Sequence, residues 1–177
     1  MTDVSKQKAY EEVLTTIEAL IEGQSDLISV MSTVSCELFH AFDHFNWVGF
    51  YRRVDATTLK VGPYQGRHGC LTIDIRRGVC GACAREAAIQ IENDVLQARS
   101  HIACSAATKA EIVLPVLDQD GNVAAVLDID SDRSSVFDDI DVTALQQVTR
   151  WVEAVNDSIT STQEPIYPGE RPNGVKM

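Results

Sequence analysis

The sequence is poor in cations and has no long apolar run. It carries 15 Lys and Arg residues against 26 Asp and Glu residues, a formal net charge of −11. Such an acidic chain argues against nucleic acid and anionic membranes as partners. No apolar stretch approaches the roughly 20 residues that cross a bilayer. Residues 1–8 are polar and lack the apolar core of a signal peptide, so we expect a cytoplasmic protein.

The cysteines lack the pairing of a disulfide framework. There are five, an odd number without regular spacing, at Cys36, Cys70, Cys80, Cys83 and Cys104. In a reducing compartment such cysteines are typically catalytic, redox-active or metal-binding rather than structural disulfides. Internal repeats are also absent. With 177 residues, 45% of them hydrophobic, the chain has the size and composition of one domain with a substantial core.

The hydrophobic pattern predicts an α+β fold. Helical spacing indicates helices over residues 9–22, about 26–42 and about 138–159, with a short helix over 79–88. Strand patterns occupy 46–52, 59–64, 71–75 and 90–92, followed by a hairpin of 111–117 with 122–130. We expect a central antiparallel sheet with the N- and C-terminal helices packed on one face. The domain should span residues 1–160, before a loose tail over 161–177 that contains Pro and Gly.

The strand at residues 46–52 has two different faces. Because side chains alternate along a strand, Val48 and Phe50 should face the core, and Trp47 and Tyr51 should share the opposite face with Gly49. Gly49 between the two rings predicts open space, as in an aromatic pocket wall. Such a wall would accept a methyl or cationic group.

Cys104 is a candidate reactive thiol. It lies among small residues, just before the apolar strand that Glu111 begins. Small residues suit a place where the backbone approaches a ligand, and Glu111 puts a carboxylate close in sequence to the thiol. These residues alone nevertheless favour a buried loop cysteine over a reactive one.

Two further patterns remain open. Cys80, Cys83, His101 and Cys104 have a spacing that a Cys3His zinc site accepts, although the first two lie where a helix begins. Asp128 and Asp130 point to one face of a strand, either as a polar strand end or as partners of a substrate. Clustered carboxylates suit a cationic group or a proton donor with a raised pKa.

Six segments, taken together and in order, closely resemble the free methionine-(R)-sulfoxide reductases, which are built on a GAF domain. The resemblance covers roughly residues 10–158. The segments are Asn46-Trp-Val-Gly-Phe-Tyr51, Gly62-Pro-Tyr-Gln-Gly66, Arg77-Gly-Val-Cys-Gly81, His101-Ile-Ala-Cys104, Glu111-Ile-Val-Leu-Pro115 and Leu127-Asp-Ile-Asp-Ser131.

The resemblance implies reduction of free methionine (R)-sulfoxide without metal or organic cofactor, with thioredoxin as reductant and often as a homodimer. Cys104 corresponds to the attacking cysteine, Cys70 to its disulfide partner, and Cys80 to a third cysteine with a less settled role. The family's pocket residues correspond to Trp47, Tyr51, Glu111, Asp128 and Asp130.

Cys83 departs from the resemblance, because the family usually has a small or apolar residue there. It offers an additional disulfide partner. Two alternatives to the reductase stay open: a ligand-sensing GAF module without catalysis, and a domain stabilised by zinc on the Cys80, Cys83, His101 and Cys104 set.

Overall fold

The computed structural model describes residues 2–95 and 107–160, with side chains described up to residue 156. The four helices in these ranges are α1 (Asp3–Ile21), α2 (Leu27–Ala41), α3 (Gly78–Glu86) and α4 (Asp139–Thr160). The six strands are β1 (Phe45–Arg53), β2 (Thr58–Gly66), β3 (Thr72–Asp74), β4 (Gln90–Glu92), β5 (Ala110–Leu117) and β6 (Val123–Ser131).

The strands form one antiparallel sheet in the order β3-β2-β1-β6-β5-β4. Helices α1, α2 and α4 pack on one face and enclose the main core. Helix α3 lies on the other face, over a smaller apolar cluster. The predicted α+β fold, with its terminal helices on one face of an antiparallel sheet, is confirmed. Burial of both faces explains why the central strands contain few exposed residues.

Helix α1 begins at Asp3, six residues before the predicted start. Thr2 caps it by accepting a hydrogen bond from the Ser5 backbone N–H at 3.3 Å. Lys6 in the first turns is buried, because its ammonium group pairs with Asp141 and also bonds Asp138 at 2.8 Å. Hydrophobic spacing did not predict the first turns of α1, because this segment is polar and is buried through a charge pair.

The two faces of β1 are as predicted, but the space above Gly49 is filled. Val48 and Phe50 lie in the main core, and Trp47 and Tyr51 lie on the opposite face. A Cβ atom at residue 49 would lie 2.3 Å from the Cβ of Tyr64 and 2.7 Å from the Trp47 ring. The prediction of open space was therefore wrong: the glycine lets the rings of Trp47 and Tyr64 stack close to the strand, with centroids 5.4 Å apart.

Among the helices that the structure describes, none combines the length and apolar character that crossing a bilayer requires. The expected tail, residues 161–177, lies outside the described residues, so the domain boundary at 160 stays a prediction.

Candidate active site

Three adjacent strands bring the predicted pocket residues together. In the sheet register Asp130 of β6 is paired with Trp47 of β1 on one side and with Glu111 of β5 on the other. Asp128 lies two residues along β6, on the same face, opposite Gly49. This face is the one that α3 covers. Strand alternation and pairing thus place two aromatic rings and three carboxylates in one neighbourhood.

Helix α3 adds a thiol to the carboxylates. The Cys80 thiol is buried and donates to Glu111 Oε1 at 3.8 Å. Gly81 permits this close seating, because a Cβ atom there would lie 2.6 Å from the carbonyl oxygen of Ile75. Donor atoms of Cys80, Glu111 and Asp128 all lie within 4.8 Å of one another.

Burial and neighbouring negative charges raise the pKa values of two members of this cluster, Asp128 and Cys80. Burial raises the pKa of Asp128 well above its usual range, and the negative charges of Glu111 and Asp130 raise it further. Burial likewise raises the pKa of the Cys80 thiol, and Asp128 and Glu111 add to the effect. Metal binding would require the protons of Cys80 and Asp128 to leave, which their raised pKa values oppose. These two groups are therefore better suited to giving a proton than to holding a cation.

A cavity of about 300 Å³ opens beside the cluster. The Trp47 and Tyr51 rings form its wall, stacked with centroids 5.5 Å apart and planes at 22°. The indole N–H of Trp47 is buried and finds no acceptor within the described part of the chain. The complete lining is Asn46, Trp47, Tyr51, Arg67, His68, Gly69, Ala107, Asp130 and Asp132.

The sequence did not single out Arg67 and His68 as functional, although both line the cavity. The segment they belong to was predicted only as a loop between β2 and β3. Two charged or ionisable side chains beside glycines were a weak signal, because exposed loops are commonly polar. Tyr64 was missed too, and its ring supports the back of Trp47.

The structure describes three of the cysteines singled out in the sequence, Cys70, Cys80 and Cys83. Cys70 is half-buried and follows Gly69, which lines the cavity. Cys83 is fully buried, one helical turn after Cys80 and in the same apolar cluster. Cys104 and His101 lie outside the described residues. The zinc prediction thus has only Cys80 and Cys83 in the described ranges, and Cys80 contacts a carboxylate.

Comparison with known proteins identifies the family. The GAF domain family matches residues 25–153. GAF domain-containing protein A from Dictyostelium discoideum is 40% identical over 149 residues, which cover 84% of this chain and 93% of that protein. The free methionine-R-sulfoxide reductase of Escherichia coli is 35% identical over 152 residues, 86% of this chain and 91% of that enzyme.

A solved structure agrees with the sequence relatives. Free methionine-R-sulfoxide reductase from Neisseria meningitidis, in complex with its substrate, is 34% identical and superposes with a TM-score of 0.80. The match covers 88% of this chain and 91% of that one. Fold, length and sequence therefore agree: the chain belongs to the GAF domain family and, within it, to the family of the free methionine-R-sulfoxide reductases.

Proposed function

We propose that the protein is an oxidoreductase that reduces free L-methionine (R)-sulfoxide to methionine by thiol chemistry. The observation that carries the proposal is a buried Asp128 with a raised pKa, two residues along β6 from Asp130, which lines an aromatic-walled cavity large enough for a small amino acid. A sulfoxide needs a proton on its leaving oxygen, and Asp128 is the group best able to supply one. The names of the relatives point to the same reaction.

The first half of the reaction uses Cys104. Its thiolate attacks the sulfoxide sulfur while Asp128 protonates the oxygen. The transient bond between the two sulfurs and the S–O bond of the substrate then break as the hydroxyl passes to the cysteine sulfur. The products are methionine and a sulfenic acid on Cys104. The substrate sulfur is reduced by two electrons and the cysteine sulfur is oxidised by two.

The second half of the reaction restores the thiol. The Cys70 thiol condenses with the sulfenic acid, which forms a disulfide and releases water. Thioredoxin then reduces that disulfide by thiol–disulfide exchange. Support for Cys70 in this role is its position beside the cavity, after Gly69. Cys80 is less suited to it, because its raised pKa lowers its thiolate fraction.

The Cys70→Ser variant is expected to release about one methionine per enzyme and then to recycle slowly with thioredoxin. Attack needs Cys104 alone, whereas recycling needs a disulfide. Cys80 or Cys83 can substitute in part, since both lie in the neighbouring cluster. Rapid-quench counting of methionine measures the first turnover separately from the steady state. Loss of that first turnover would show that Cys70 does more than resolve the sulfenic acid.

The reductase should act on the free (R) sulfoxide and largely ignore the N-acetyl form. A carboxylate that binds the α-ammonium is left buried and unpaired when an amide replaces it, a cost of about 3–5 kcal/mol. That corresponds to roughly a hundredfold to several-thousandfold loss in kcat/KM. The (S) epimer should also fail, because its oxygen would point at the aromatic wall and away from Asp128.

Thioredoxin-coupled NADPH consumption with the free (R), free (S) and N-acetyl sulfoxides tests the proposal directly. Equal kcat/KM for the free and N-acetyl forms would show that the carboxylates do not recognise the amino group. Binding of the sulfoxide without NADPH consumption would instead support a ligand-sensing GAF module.

We infer a cytoplasmic location from the reducing conditions that the thiol cycle requires. We also infer a homodimer, the state implied by the family resemblance, with α1 as the candidate interface. Equilibrium sedimentation measures that state.

A further inference from the structure

The cavity beside Trp47 carries charges of both signs. Its lining includes Asp130 of β6 and Asp132 just after it, together with Arg67 and His68 from the loop between β2 and β3. Opposite charges that share a cavity usually form an ion pair. Arg67, however, makes no ion pair with any residue that the structure describes. A cavity lined by residues of both charges is thus suited to a ligand that has both charges itself.

A second donor, the indole N–H of Trp47, belongs to another residue that lines this cavity. A Cβ atom on Gly69 would lie 3.3 Å from Trp47 Nε1 and 3.0 Å from Tyr51 Oη, so these atoms are close to the loop that carries Arg67. Trp47 is 5% exposed, and its N–H has no acceptor among the described residues. A buried N–H without an acceptor is costly unless a ligand supplies one. An indole N–H and a guanidinium from residues that line one cavity are donors suited to an anion.

We propose that Arg67 and the indole N–H of Trp47 bind the α-carboxylate of the substrate, while Asp130, in the same lining, binds its α-ammonium. This inference rests on the proposed function and specifies how the free amino acid is distinguished from a peptide. A peptide bond on the carboxyl side would replace the anion by a neutral amide. Arg67 is therefore a specificity-determining residue for the carboxyl end of the substrate.

The test compares L-methionine (R)-sulfoxide with its carboxamide, which keeps the ammonium and removes the carboxylate. Wild-type enzyme should prefer the acid. In Arg67→Gln the KM for the acid should rise about tenfold to a hundredfold, as expected for loss of a charge-assisted contact, with kcat near the wild-type value. The KM for the carboxamide should barely change. Arg67→Lys should recover part of the preference, since it keeps the charge.

Arg52→Gln is the matched control, because Arg52 is an exposed arginine of β1 that lines a different cavity. It should leave both KM values unchanged. If wild-type enzyme turns over the acid but Arg67→Gln changes acid and carboxamide alike, or neither, the carboxylate site is wrong and the proposed function stands. If wild-type enzyme does not turn over the acid, both are wrong.

Discussion

Replacing Cys104 by Ser is expected to abolish turnover, with a loss on the order of 10⁴-fold or more, as for the removal of other catalytic nucleophiles. A serine hydroxyl is not ionised near neutrality and its oxygen cannot become a sulfenic acid, so the substrate oxygen has no acceptor. Thioredoxin-coupled NADPH consumption with free methionine (R)-sulfoxide measures the loss. Mass spectrometry of the quenched enzyme should show the added oxygen on wild type and none on the variant.

Cys36→Ser is the control for this experiment. Cys36 lies on α2, on the face of the sheet opposite the cavity, and is a free thiol. Its replacement should leave activity unchanged. Substantial activity in Cys104→Ser, with Cys36→Ser normal, would transfer the attacking role to another cysteine, of which Cys80 is the nearest to the carboxylates.

Asp128→Asn is expected to lower kcat by roughly 10²- to 10⁴-fold, the usual contribution of a general acid. Asparagine fills the same space but gives no proton to the leaving oxygen. In the wild type, kcat should fall as pH rises through the raised pKa of Asp128, because the protonated form is the active one. The variant should lose this alkaline limb. Asp120→Asn, in the exposed turn between β5 and β6, should change neither kcat nor its pH profile.

Asp128→Asn should also make the free energy of unfolding less dependent on pH. Burial, and then the charges of Glu111 and Asp130, raise the pKa of Asp128 above its unfolded value. The folded state therefore binds the proton more tightly, and this stabilising contribution is lost as pH rises from the unfolded pKa through the folded one. Asp128→Asn should remove that loss, so its free energy of unfolding should depend less on pH. Urea unfolding at several pH values measures this difference. A wild type that gains stability over that range relative to Asp128→Asn would contradict the assignment.

Alternation and pairing made much of the candidate site predictable. The two-residue period places Asp128 with Asp130 and Trp47 with Tyr51, and the hairpin of β5 with β6 brings Glu111 beside them. These are local rules, which need only the neighbouring strand. The family resemblance added the reaction and the roles of the cysteines, of which Cys104 lies outside the described residues.

The remaining features depend on contacts between distant segments. Lys6 pairs with Asp141 across nearly the whole chain, and no spacing in either helix indicates it. The Cβ atom of Tyr64 and the ring of Trp47 fill the space beside Gly49, and Tyr64 reaches it only because β2 is paired with β1. Arg67 has the pattern of an ordinary loop arginine, and only the fold shows that it lines the same cavity as Asp130. Local patterns do not contain such information.

Pairing of β1 with β6 has a consequence for folding. Strands β1 to β3 come from the first half of the described chain, and β5 and β6 come from the second. The pairing of β1 with β6 therefore joins two groups of strands that are each close in sequence. Contacts between segments so distant in sequence form slowly. During synthesis Trp47 and Tyr51 leave the ribosome before Asp128 has been added to the chain. Cys70, Cys80 and Cys83 also emerge before β5 and β6, the strands against which Cys80 and Cys83 are buried. In the nascent chain the thiols are therefore accessible to oxidants for a time before the carboxylates of the candidate active site have been synthesised.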